Sequence, residues 1–92
     1  MKNEIQEVLE KEAGVDAIVV VGRAKEGIEH EIIAFVVKNS ETAWEKLENQ
    51  MRQAATEKLE AWEQPKEYRL IDMLPRTAAG KMDYRKLEEM AK

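Results

Sequence analysis
The sequence predicts an α+β fold in which a small three-stranded β-sheet is covered by helices, in the order αββαβα. Three observations predict it. Two short runs rich in β-branched residues, Val15 to Val21 and Ile32 to Val37, flank a polar stretch containing Gly27. A stripe of apolar residues at steps of three or four runs from Trp44 to Trp62. A last short run, Tyr68 to Ile71, precedes a loop marked by Pro75 and Gly80.

Each element has a local reason. Asn3 is placed to cap a first helix with Gln6 three residues on, Ile5, Val8 and Leu9 form its apolar side, and Gly14 stops it. Val15 to Val21 is too short and too β-branched for a helix, and Gly22 ends the run. Arg23 to Glu29 reads as a polar connection with Gly27 as its turn residue. The run Ile32-Ile33-Ala34-Phe35-Val36-Val37 is continuous rather than alternating, which is the pattern of a strand covered on both faces. These two strands are expected to pair as a hairpin. Ser40 or Thr42 starts the long helix, with Thr42 and Glu45 in capping-box register. Trp44, Leu47, Met51, Ala54, Ala55, Leu59 and Trp62 form its packing face, while Glu41, Glu45, Glu48, Arg52 and Glu60 stay in water. Gln64-Pro65 closes it. After the third strand, Asp83 caps a short helix whose apolar side is Tyr84, Leu87 and Met90 or Ala91.

Size and charge narrow the function. Ninety-two residues make one domain, residues 1–92, which buries about 60–65% of its unfolded surface, too little to enclose a substrate. A small-molecule site is therefore expected to be shared with another domain. With no cysteine, disulfides and thiolate catalysis drop out and a reducing, cytoplasmic setting is expected. No apolar run approaches the ~20 residues of a membrane span, and the first residues do not read as a signal peptide. The net charge of −4 is uneven: residues 1–65 carry eight Lys/Arg against fourteen Asp/Glu, and residues 66–92 seven against five. A net-acidic chain with a locally basic end argues against nucleic acid and for a small anion. His30 stands between Glu29 and Glu31 without a second His or Cys, so it is read as exposed and no metal site is expected. Asp16, Asp72 and Asp83 have no spacing that suggests paired acid and base work.

The basic feature is a loop. Pro75-Arg76-Thr77-Ala78-Ala79-Gly80-Lys81 begins on a fixed φ, permits a positive φ at Gly80, and brings Lys81 to its tip. From Met73 to Lys81 there are two cations and no acid. A phosphate-binding P-loop is excluded, because Pro75 and Met82 stand where it needs a glycine and a Ser or Thr. Nothing in so short a chain is expected to pack against this loop, so it is expected to be mobile.

Residues 75–87 resemble the last motif of the adenylate-forming ligases, Pro-Arg-Thr-x-x-Gly-Lys followed by an aliphatic residue, Asp, basic or aromatic residues and Leu. That superfamily holds acyl-CoA synthetases, nonribosomal-peptide adenylation domains and firefly luciferase. The resemblance to its C-terminal domain extends through Gln64-Pro65-Lys66, Leu70 to Leu74, Val19 to Gly22 and Ala34 to Val37, and so covers essentially the whole chain.

The resemblance implies a mobile lid of an ATP-dependent acyl-CoA synthetase. It implies that Lys81 is the catalytic residue, reaching into a site on a large N-terminal domain where a carboxylate attacks the α-phosphate of ATP. An ammonium ~4 Å from the developing charge is worth about 4 kcal/mol at an effective dielectric near 20. Arg76, Thr77 and Gly80 are expected beside it in a substrate-binding loop. Gly80 and Thr77 also read as loop formers, Thr77 bonding the backbone, and Arg76 as a brace or a contact to the large domain. Mg-ATP and CoA are expected in the complete enzyme and neither on this chain alone, with ATP or acyl-adenylate at the domain interface. Two departures stand out. Ala24-Lys25 replace the family's Pro-Asp after Gly22, and the chain is expected to begin just after the family's hinge, without the large domain. The alternative from another class is a free-standing lid homologue acting as a regulatory or protein-interaction module.

Overall fold
The computed structural model of the protein describes residues 2–25 and 28–91, with side chains from 4–23 and 31–91. Helix α1 (Lys2–Leu9) leads into strands β1 (Val15–Lys25) and β2 (Ile28–Lys38), then helix α2 (Trp44–Lys58), a 3-10 turn (Ala61–Glu63), strand β3 (Glu67–Leu70) and helix α3 (Tyr84–Ala91). The expected order αββαβα and the three-stranded sheet are both present.

β1 and β2 form the expected hairpin, with Val20 opposite Ala34 and Val21 opposite Ile33. β2 is central and pairs β3 in parallel, Ala34 opposite Tyr68. A parallel neighbour needs a long crossover, and α2 supplies it. In the middle of β2, Ile33, Ala34, Phe35 and Val36 are all fully buried, as the continuous apolar run requires.

The two faces of the sheet hold separate cores. Ile18, Val20, Ala34 and Val36 face α1 and α2, meeting Ile5, Leu9, Leu47 and Met51. Val19, Val21, Ile33 and Phe35 face Leu87 and Ala91 of α3, with Ile71, Leu74 and Met82 at the margin. Alternation along each strand thus sends successive residues to opposite cores.

Several boundaries differ from the sequence reading, each for a tertiary reason. Gly22 does not end β1, because it pairs with Ile32 and the next pair, Arg23 and Glu31, carries a salt bridge at 2.9 Å. β1 therefore runs to Lys25 and β2 starts at Ile28, within the stretch expected to be a polar connection, and Gly27 and the side chain of His30 lie outside the described residues. α1 includes Asn3 rather than starting after it, and Gln6 instead accepts the Val20 amide through Oε1 at 3.1 Å. α1 also stops at Leu9, before Gly14, whose φ of +99° turns the chain into β1.

α2 starts at Trp44 behind Ala43, without a side-chain cap. The amides of Glu41 and Thr42 donate instead to Asn39 Oδ1, at 3.1 and 3.0 Å. Its packing face ends at Leu59. Trp62, in the separate 3-10 turn, is 70% exposed, because the helix closes at Lys58 rather than at Gln64-Pro65. On α3 the expected cap is present, Asp83 Oδ1 accepting the Lys86 amide at 3.0 Å. Leu87 and Ala91 form its buried side, while Tyr84 and Met90 are exposed.

Candidate functional site
The segment joining β3 to α3 crosses the α3 face and folds back on itself as a small hairpin. Arg76 and Met82 form an isolated antiparallel bridge. The Thr77 amide donates to the Lys81 carbonyl at 2.7 Å and the Asp83 amide to the Pro75 carbonyl at 3.0 Å. Within the tip, the Gly80 amide donates to the Thr77 carbonyl at 2.9 Å. Leu74 on one arm and Met82 on the other pack against the α3-side core, so the arms are anchored and the tip projects.

The tip geometry follows from its residues. Gly80 has φ +82°, a conformation costly for residues with a Cβ, and a Cβ built there would find no atom within 4 Å. The loop is therefore unpacked, as the sequence suggests, but its backbone is braced by its own hydrogen bonds. Thr77 supplies much of that bracing. Its Oγ1 accepts the Lys81 amide at 3.3 Å while its own amide holds the Lys81 carbonyl, so both backbone groups of Lys81 are tied to one residue.

The candidate residues Arg76, Thr77, Gly80 and Lys81 thus lie together on one exposed turn. Among the described residues no carboxylate pairs with Lys81 or Arg76; the ion pairs all lie elsewhere. Two unneutralised cations on an acid-free turn suit an anionic group, and they offer no ligand for a cation. Among the described residues there is also no group of three or more His, Cys, Asp or Glu that could hold a metal ion. A shallow cleft lined by Arg52, Trp62, Gln64 and Pro65 borders α2 and the turn before β3, and Lys81 is not among its lining residues.

Sequence reasoning did not reveal a charged cluster at the far end of α3 from this turn. Arg23 lies 2.9 Å from Glu31 and 2.7 Å from Glu67, and Arg69 lies 3.5 Å from Glu67. Hydrogen bonds from Arg23, then the nearby charge of Arg69, hold the Glu67 carboxyl below its usual range, and Glu31 and Glu67 raise Arg23 in turn. Arg23 and Glu31 are equidistant from Gly27, so this first pairing was legible from a hairpin centred there; the link to β3 was not.

The AMP-binding enzyme C-terminal domain family matches residues 4–81, and the chain belongs to that family. No curated protein matches by sequence. Among solved structures, a benzoate CoA ligase from Burkholderia xenovorans LB400 is 31% identical with a TM-score of 0.81, over 95% of this chain and 18% of the ligase chain. The anthranilate CoA ligase AuaEII, solved with anthranoyl-AMP, is 29% identical with a TM-score of 0.82, over 97% of this chain and 17% of its own. A Mycobacterium tuberculosis fatty acyl CoA synthetase is 26% identical with a TM-score of 0.78, over 95% and 17%. The chain spans under a fifth of the length of these adenylate-forming relatives. No helix among the described residues is long and apolar enough to cross a membrane.

Proposed function
We propose that this chain is the mobile C-terminal lid of an ATP-dependent acyl-CoA synthetase and supplies Lys81 for acyl-adenylate formation. The observation that carries the reading is the placement of Lys81 at the tip of a braced, projecting turn, with no acid to neutralise it among the described residues. The three relatives named above are a ligase or synthetase acting with CoA by title, and one was solved with an acyl-adenylate.

The chemistry needs a cation at this place. A carboxylate must approach the α-phosphate of ATP, two anions are brought together, and charge develops on the phosphorus oxygens. A lysine ammonium offsets both effects, and its long flexible stem suits a group that enters and leaves as domains move. Arg76 adds a second positive charge on the same turn, and Thr77 with Gly80 shapes the backbone that presents Lys81. The acid-free turn fits phosphate and carboxylate oxygens rather than magnesium, so Mg-ATP is assigned to a large N-terminal partner domain. CoA enters the second step, when the lid rotates and takes Lys81 out of the site. The site of action is cytoplasmic in this reading.

A fusion of this chain to the large domain of the benzoate CoA ligase tests the proposal. The fusion should catalyse ATP–pyrophosphate exchange, and Lys81→Ala should slow that exchange by about 10²-fold or more. Thioester formation from supplied acyl-adenylate should persist. An equal loss in both steps would make Lys81 structural, and exchange at the unmutated rate would end the assignment.

A further inference from the structure
The Lys81 turn is joined directly to α3, since the Asp83 amide that closes the turn belongs to the residue that caps the helix. The turn, whose arms Leu74 and Met82 hold to the margin of the same core, is thereby coupled to the direction of α3. The large side chain by which α3 holds the sheet is Leu87. Among its described residues Leu87 and Ala91 are the buried side chains, and the alanine methyl gives a small grip. One large anchor fixes a point more firmly than it fixes a direction.

A second fixed point stands at the other end of the helix. The α3 face of the sheet is apolar under Leu87 and becomes charged where Arg23, Glu31, Glu67 and Arg69 come together. There Arg23 donates Nη1 to the Ala91 carbonyl at 3.0 Å and also reaches Glu67 Oε2 at 2.7 Å. Its Nε and Nη2 donate to Glu31 Oε1 at 3.3 and 2.9 Å. Arg69 donates to the Met90 carbonyl. The last carbonyls of a helix have no partner within it and carry the negative end of its dipole. Here they receive guanidinium groups from β1 and β3, the two edge strands.

We propose that Arg23 and Arg69 form a latch that sets the direction of α3 across the sheet, which makes Arg23 a positioning residue for the Lys81 turn. A guanidinium is suited to this because its rigid fork of five donors serves two carboxylates and a carbonyl at once, which an ammonium on a flexible stem does not. The consequence for catalysis rests on the lid reading, in which displacement of a reacting group by about 1 Å costs on the order of 10²-fold in rate. The latch itself does not rest on it.

The test uses the 92-residue chain, isotopically labelled and weakly aligned, with residual dipolar couplings reporting the direction of α3 relative to the sheet. Arg23→Met combined with Glu31→Gln cuts the β1 side without stranding a carboxylate, because Glu67 keeps Arg69. In this variant the sheet couplings should still fit one frame and the α3 couplings should leave it, with shifted amides at Met82 and across Thr77 to Lys81. Arg23→Lys, which keeps a cation able to reach one acceptor, should return the α3 couplings part of the way. Arg69→Met leaves every Arg23 contact in place, and should move the α3 couplings in the same sense by less. It decides the matter alone if the double variant does not fold. Couplings of α3 and sheet that fit one unchanged frame in these variants overturn the latch. In the ligase fusion, latch variants should lower kcat for pyrophosphate exchange at unchanged KM for ATP. Exchange indifferent to Lys81→Ala would instead sink the lid reading while leaving the α3 couplings to judge the latch.

Discussion

Replacing Gly80 by alanine separates the presentation of Lys81 from the stability of the fold. At φ +82° with no atom within 4 Å of a Cβ, alanine meets no neighbour, so the whole cost is backbone conformation, about 1–2 kcal/mol. The chain can relieve that strain in two ways. It can unfold globally, or it can open the tip and lose the hydrogen bonds donated by Thr77, Gly80 and Lys81, each worth about 0.5–1.5 kcal/mol net. The tip is exposed while Leu74, Met82 and Leu87 keep their packing, so local opening is the cheaper route. The ratio of closed to open hairpin should fall by about 5–30-fold, the factor that corresponds to 1–2 kcal/mol. The assay is amide exchange at Thr77 and Lys81 in the 92-residue chain beside urea denaturation, with pyrophosphate exchange in the ligase fusion. Loop protection should fall by that factor and adenylation rate by at most that factor, at an almost unchanged urea midpoint. A shifted midpoint with unchanged loop protection would show that the loop opens only with the whole fold, and would refute the reasoning.

The other glycine with positive φ should behave oppositely. An alanine Cβ at Gly14 would stand 2.8 Å from Thr42 Oγ1, and the Gly14 carbonyl is held by the Asn39 amide at 2.9 Å. Gly14→Ala should therefore lower global stability by about 2–4 kcal/mol in urea denaturation, with part recovered in a Thr42→Ala background. Glu67 gives a pH prediction. Its carboxyl is held below the usual range in the folded state, first by hydrogen bonding from Arg23, so its contribution is fully present above the ordinary carboxylate range near pH 4 and is lost as pH falls through its folded value. Glu67→Gln should flatten the acid limb of stability against pH, by a small amount because its side chain is 40% exposed and screened by water. An acid limb unchanged by the substitution would remove Glu67 from the account.

Much of this protein was legible in its amino-acid order because the signals are local. β-branched runs, a 3.6-residue stripe and a Pro-to-Gly turn need no partner to be read, and they suffice for the element order αββαβα, the hairpin of β1 and β2 and the Asp83 cap. The cations at Arg76 and Lys81, and the glycine that permits their turn, were visible for the same reason. What only the tertiary structure decided depends on residues far apart in the chain. Gly22 stays in β1 because Ile32 pairs with it, Trp62 leaves the core because α2 closes early, and Gln6 serves the edge of β1 rather than its own helix start. The joining of the Arg23 and Glu31 pair to Glu67, Arg69 and the end of α3 is of the same kind. It joins three strands and a helix through long side chains, and such side chains have no periodicity to betray their partners. Local sequence specifies which elements form. Packing specifies where each one stops and which charges meet, because burial and pairing energies arise only when distant segments come together.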